Sequence, residues 1–214
     1  MKDIILRGRI FGAERASDVV LRNGVVRKIA RPGKNPPDIG SDTAIIGPTL
    51  FDIQVNGVNG ITLQGATVSP DSLLQITEYL ARHGVARWIP TLITGPQDEL
   101  EHGCRMVALA LRNKRVAKAV PGLHIEGPYI SPLDGPRGAH PKLAVRPPSL
   151  REFKQLLRAA EGHIRYVTVA PEVTGAIPFI RAVVKLGVTV SLGHHQANAA
   201  EIAAAVDAGA RLST

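Results

Sequence analysis

The chain has 214 residues, of which 44% are hydrophobic and only 4% aromatic, with 26 Lys and Arg against 18 Asp and Glu for a formal charge of +8. That length can bury a sizeable core in one or two domains, and the aliphatic bias suits helices covering a parallel sheet. The positive residues are scattered and few aromatics are available to stack on bases, which argues against a nucleic-acid partner, and no apolar run is long enough to span a membrane.

Cys104 is the only cysteine, which excludes an intrachain disulfide and a cysteine-based zinc cluster. Its surroundings read as a helix, so it is expected to be a small buried hydrophobe. Met1-Lys2-Asp3-Ile4 opens no signal-peptide core, and a cytoplasmic location is the expectation. The dense basic run Arg112-Asn113-Lys114-Arg115 is expected to close a helix, where cations complement the dipole. The overall positive field would favour an anionic substrate.

Residues 1 to 48 are short β-like pieces, Ile4-Ile5-Leu6, Val19-Val20-Leu21, Val25-Val26 and Ala44-Ile45-Ile46, punctuated by Gly8, Asn23-Gly24 and Pro32-Gly33. Asn-Gly between apolar runs is a hairpin signal, so this is expected to be a small all-β domain. From Thr49 the texture changes to strands alternating with helices. A strand over Leu50 to Val55 leads into Asn56-Gly57-Val58-Asn59-Gly60, a loop tolerant of positive φ. The first helix has Ser69 as cap, Pro70 at its first position and Gly84 as stop, with Leu73, Ile76 and Leu80 as its buried stripe.

A strand over Arg87 to Ile93 and a helix carrying Leu100, Cys104, Val107 and Leu111 follow. The third strand, Val120 to Glu126, delivers a lone carboxylate into a loop crowded with proline and glycine. The third helix opens with the capping-box pattern Ser149-x-x-Glu152 and ends at Gly162. Arg165 to Val169 is the fourth strand, and the fourth helix carries Ile177, Ile180, Val183 and Val184. The fifth strand, Val188 to Leu192, runs into Gly193-His194-His195. The fifth helix has the box Asn198-x-x-Glu201, and Ala210 to Ser213 reads as a sixth strand.

Such alternation implies βα units and a parallel sheet, either open or closed into a barrel. No Gly-x-Gly-x-x-Gly follows the first strand, which weakens a dinucleotide-binding version. With six strands and five helices against the eight of each in a closed (βα)8 barrel, the barrel reading is of an incomplete one.

The polar residues able to carry chemistry fall at strand C-termini: Gln54 and Asn56, Glu126, and His194 with His195. Gln54 and Asn56 alternate and so share a face, although Asn before Gly is also an ordinary turn residue. A carboxylate and an imidazole at one mouth can form a divalent metal site. Strand alternation should send the adjacent histidines opposite ways, leaving at most one as a ligand. His124 shares a face with Glu126 and either lines the site or packs inside the barrel. His83, His102 and His163 sit near helix ends or faces and read as structural.

Three segments together resemble the N-acetylglucosamine-6-phosphate deacetylase family of the metal-dependent amidohydrolase superfamily. They are Pro48-Thr-Leu-Phe-Asp52-Ile-Gln54-Val-Asn56-Gly57, then Gly122-Leu-His-Ile-Glu126-Gly-Pro128 with Gly138-Ala139-His140-Pro141, and Val190-Ser-Leu-Gly193-His194. The resemblance implies an α/β fold in which residues 49–214 form an incomplete (βα)8 TIM-type barrel and residues 1–48 part of a small β-sandwich. It implies Glu126 and His194 as metal ligands, and Ala139 (through its backbone) and His140 as substrate contacts. Gln54 and Asn56 stand where related amidohydrolases carry a His-x-His metal pair, so one divalent ion, Zn²⁺ or Fe²⁺, is expected, with both residues near the substrate.

The implied reaction hydrolyses the N-acetyl group of N-acetylglucosamine 6-phosphate to glucosamine 6-phosphate and acetate. The expected partners are that small-molecule amino sugar phosphate and, when the protein is complete, further copies of itself; no nucleic acid and no membrane are expected. The family pattern also places a histidine ligand at the end of a sixth strand and a catalytic aspartate after an eighth, so no catalytic acid or base is assigned within residues 1–214. His195 stands where the family more often has a small hydroxyl residue, and the loop Val58 to Thr62 is atypical. Two other readings follow from these departures: an inactive remnant with at most a binding role, or an amidohydrolase for a different amide.

Overall fold

The computed structural model describes residues 2–64 and 67–214 and separates into two compact units, Met1–Thr49 and Leu50–Thr214. The first unit is a single four-stranded sheet of β1 (Ile4–Ile10), β2 (Ala16–Arg22), β3 (Val25–Ala30) and β4 (Ile39–Ile46), in the order β3-β2-β1-β4. β4 runs parallel to β1, and the other pairs are antiparallel. The β2–β3 hairpin turns at Asn23 (φ 56°) and Gly24 (φ 72°), the left-handed pair that a two-residue turn matching strand twist requires. Arg7 lies across this sheet, its Nε 2.7 Å from Asp18 Oδ1, while Asp18 also accepts the Gly33 N–H at 2.8 Å. Val25, Val26, Ile29, Ile39 and Ile45 are exposed.

The second unit begins with β5 (Leu50–Val55), a small hairpin of β6 (Gly57–Val58) and β7 (Ile61–Thr62), and α1 (Pro70–Arg82). There follow β8 (Val85–Ile93), α2 (Gln97–Ala110), α3 (Lys114–Ala119), β9 (Leu123–Glu126), α4 (Leu150–Ala159) and β10 (Ile164–Val169). The chain continues with α5 (Ala176–Lys185), β11 (Thr189–Leu192), α6 (Ala199–Ala208) and β12 (Leu212–Ser213). Six strands form one parallel sheet, β12-β11-β10-β9-β8-β5, curled into a partial TIM-type barrel. The curl is visible inside the unit, where the Tyr166 hydroxyl on β10 donates to the Ile53 carbonyl on β5, three strands away, at 2.5 Å.

The helices form where their caps and stripes direct. α1 has a reciprocal box between Ser69 and Ser72, and its expected stripe of Leu73, Ile76 and Leu80 is buried. α6 has the expected box between Asn198 and Glu201. At α4 the box is only half made: Ser149 accepts the Glu152 N–H, but the Glu152 carboxylate turns to Arg146 at 2.8 Å. Arg146 also donates to the Gly95 and Ala144 carbonyls and to Gln97, so charge-assisted bonds draw the acid from its cap and tie the loop after β9 to the start of α2.

The basic run corrects an expectation. It does not close one helix, because Asn113 accepts the Arg115 N–H and starts the separate helix α3. Arg115 reaches Glu78 at 2.8 Å and Arg112 reaches Glu161 at 3.3 Å, so exposed acids on other elements meet the charge. Val120 ends α3, and β9 starts later than the apolar run suggested, at Leu123. Cys104 is fully buried, and burial pushes its thiol up to about 12. Among the described residues no helix is long and apolar enough to cross a membrane.

Candidate metal centre

The C-terminal ends of β5, β9 and β11 meet the loop after β9 around one pocket of about 740 Å³, with Gln54, Asn56, Glu126, His140, His194 and His195 on its wall. Glu126 is the last residue of β9 and almost fully buried. Gln54 Nε2 donates to its Oε1 at 2.9 Å, and Asn56 Nδ2 lies 3.3 Å from its Oε2. β5 is separated from β9 by β8, so the curl of the sheet, not strand pairing, brings these amides onto the carboxylate.

Glu126 Oε1 also lies 3.1 Å from His194 Nε2, which is in turn 3.1 Å from His140 Nε2. One ligand atom from each of Glu126, His140 and His194 falls within a group spanning no more than 4.8 Å. The second nitrogens of the two rings fix their tautomers. His194 Nδ1 faces the Pro136 carbonyl at 3.2 Å, and a carbonyl only accepts, so that nitrogen carries hydrogen. The Thr94 hydroxyl donates to the Glu126 carbonyl, so it accepts from His140 Nδ1–H at 2.8 Å. When neutral, both rings therefore carry a lone pair on Nε2, that of His194 beside Glu126 and that of His140 beside His194.

Two imidazole nitrogens and a carboxylate, each held from behind, are a donor set that suits a borderline divalent cation. Without one, the same geometry holds a proton. The hydrogen bond to Glu126 raises the pKa of His194, and burial opposes it. Burial pushes the Glu126 carboxyl up, but the bond from His194 and the nearby imidazoles outweigh it and lower it overall. His140 is pushed down to about 4 by burial and then by the charge of His194.

His124 lies one alternation below Glu126 and is fully buried. Its Nδ1 is 3.1 Å from Thr91 Oγ1, its Nε2 is 2.8 Å from Thr168 Oγ1, and its ring stacks on Tyr166 at 3.8 Å. Burial pushes it down to about 3, so it is a neutral ring packed inside the curl. His83 bonds its own helix at the Tyr79 carbonyl and His102 bonds the Val68 carbonyl, both away from the mouth.

The expectation that His194 and His195 face opposite ways does not hold. β11 ends at Leu192, and His194 has a left-handed φ of 52°, so alternation has stopped before either ring. Both line the same pocket. The sequence reading missed Thr94, Thr62 and Thr214. Thr94 follows β8 directly, and the strand-end logic used for Glu126 would have found it.

The sheet and its mouth are those of a partial TIM-type barrel with a metal-competent donor group. No protein-family model matches the chain. It is 32% identical over 169 residues to the N-acetylgalactosamine-6-phosphate deacetylase of Escherichia coli O157:H7, covering 79% of this chain and 44% of that protein. It is 35% identical over 168 residues to the N-acetylglucosamine-6-phosphate deacetylase of Homo sapiens, covering 77% of this chain and 39% of that protein. A mutant of the Mycobacterium smegmatis N-acetyl-D-glucosamine-6-phosphate deacetylase, solved with N-acetyl-D-glucosamine-6-phosphate, superposes with a TM-score of 0.86 at 26% identity, over 100% of this chain and 55% of that one. By these comparisons the chain resembles the N-acetylglucosamine-6-phosphate deacetylase family, and it spans less than half the length of these curated relatives.

Proposed function

We propose that the whole protein hydrolyses the N-acetyl group of N-acetylglucosamine 6-phosphate, giving glucosamine 6-phosphate and acetate, and that residues 1–214 supply part of its metal and substrate site. Residues 49–214 are then part of a (βα)8 barrel, and residues 1–48 part of a small β-sandwich domain. The observation that carries this reading is the convergence of His140 and His194, each in an Nε2-lone-pair tautomer, on Glu126.

Glu126 and His194 hold one divalent ion, Zn²⁺ or Fe²⁺. Bound there, the ion would acidify a water and polarise the acetamide carbonyl. Gln54 and Asn56 each place an amide N–H on Glu126, keeping the carboxylate charged and aimed, and each keeps its amide oxygen for the sugar. His140 accepts a hydrogen bond from the substrate at Nε2, beside the Ala139 backbone. No proton-transferring acid or base is assigned among these residues.

The test is acetate release from N-acetylglucosamine 6-phosphate by the full-length protein, with its metal content measured alongside. Stoichiometric metal with no acetate release would overturn the substrate and leave the metal centre standing. Acetate release undiminished in Glu126→Ala would overturn the centre.

A further inference from the structure

His195 lines the same pocket, yet the metal and substrate roles assigned above leave it without a part. Its surroundings give it a definite chemistry. Three consecutive backbone N–H groups after it are fastened by side chains: Gln196 N–H to Glu172 Oε1 at 2.9 Å, Ala197 N–H to His195 Nδ1 at 3.1 Å, and Asn198 N–H to Glu201 Oε2 at 2.8 Å. A backbone N–H only donates, so His195 Nδ1 is an acceptor and the neutral ring carries its hydrogen on Nε2. That N–H makes no hydrogen bond among the described residues, and the half-buried residue lines both the mouth that holds Glu126 and His194 and a neighbouring cavity beside Ile202 and Val206. His195 is thus the opposite of its neighbour: His194 offers a lone pair at Nε2 in its neutral form, and His195 offers a donor.

We propose that His195 is a substrate-contact residue whose Nε2–H donates to an oxygen of the sugar phosphate at the mouth. The proposal rests on the deacetylase reading above. The ring is pre-organised, because the pinned loop fixes its tautomer and position before ligand arrives, so little ordering cost is left for binding. A donor to a sugar or phosphate oxygen, and not to the reacting acyl group, contributes to binding in ground and transition states alike, which places its effect in KM.

The test uses the full-length, metal-loaded protein and N-acetylglucosamine 6-phosphate. His195→Phe keeps a planar ring but loses both the Nε2 donor and the Nδ1 acceptor for the Ala197 N–H, whereas His195→Gln lacks the same Nδ1 acceptor and returns an N–H near the Nε2 position, so the two variants differ in the donor. The expected result is a KM raised about three- to tenfold in His195→Phe, the size of one lost neutral hydrogen bond. kcat and bound metal stay at the parent value, and His195→Gln recovers most of the loss. An unchanged KM in His195→Phe overturns the proposal, as does a fall in kcat that His195→Gln does not restore, since that marks a purely structural loop residue. If the parent does not turn over this sugar phosphate, the deacetylase reading has failed and the His195 contact fails with it. Parental turnover with an unaffected phenylalanine variant removes His195 alone.

Discussion

Gln54 Nε2 meets Glu126 Oε1 at 2.9 Å although the two are 72 positions apart in the chain and a whole strand, β8, lies between their strands. The amide leaves Glu126 no freedom to swing away from His194. Outer partners of this kind commonly change metal affinity by about 10–100-fold when removed. Gln54→Leu is therefore expected to weaken Zn²⁺ or Co²⁺ binding by about that factor, measured by calorimetric titration. Glu126→Ala and His194→Ala should abolish stoichiometric binding. His140→Ala should change it less than about threefold if His140 serves the substrate, because a true ligand would cost about as much as His194. A loss in His140→Ala equal to that in His194→Ala would make His140 a third ligand.

Gly127 follows Glu126 with φ +81°, a backbone that residues with a Cβ adopt at a cost, and a Cβ there would press directly on Thr94 Oγ1. That hydroxyl fixes the His140 tautomer. Gly127→Ala is expected to cost about 2 kcal/mol or more in urea denaturation, from the left-handed backbone and the clash together. Gly135, at φ +98° with nothing within 4 Å of the place a Cβ would take, serves as the control for backbone strain alone. If the two alanine variants lose the same stability, contact with Thr94 adds nothing.

Trp88, the only tryptophan, is fully buried and donates from Nε1 to Thr77 Oγ1 at 3.1 Å, joining β8 to α1. Thr77→Val keeps the shape but strands the indole N–H. The expected loss is about 1–3 kcal/mol, the cost of an unsatisfied buried donor, read from the fluorescence of that same tryptophan in a denaturant titration. No loss would mean that the indole finds another acceptor.

Much of the fold is legible in the sequence because its signals are local. Asn23-Gly24 specifies its own hairpin, Ser69 and Asn198 their own caps, and the apolar stripe of α1 its own buried face. The strand-end carboxylate and histidine are legible for the same reason. What escaped was set in part by competition among nearby groups and in part by contacts distant in sequence. Glu152 reads as a capping-box partner until Arg146 claims it, and the basic run reads as one helix end until Asn113 starts another helix. Nothing local says that His140 and His194, 54 residues apart, approach to 3.1 Å, because that depends on a loop held by Arg146 and Thr94. The left-handed turn at His194, which undoes strand alternation, is equally invisible in a Gly-His-His run.

The Arg7–Asp18 pair makes the stability of the first unit depend on pH in a defined direction. Its guanidinium, then the Gly33 N–H, hold the Asp18 carboxyl down at about 2, against about 3.9 for an unfolded aspartate. Between those values the unfolded chain binds a proton that the folded sheet does not, so stability rises with pH across the interval. The contribution is fully present above about pH 4 and disappears as pH falls toward 2. Asp18→Asn should flatten this part of the curve and lower stability at neutral pH, where Arg7 keeps only Asp42 and the Gly33 and Asn35 carbonyls. The measurement is the denaturant midpoint of parent and variant from pH 2 to 6. Because other carboxylates titrate in both proteins, the difference between the curves carries the result: it should grow from pH 2 to 4 and then stay level. A difference independent of pH would mean that the pair contributes packing and not charge.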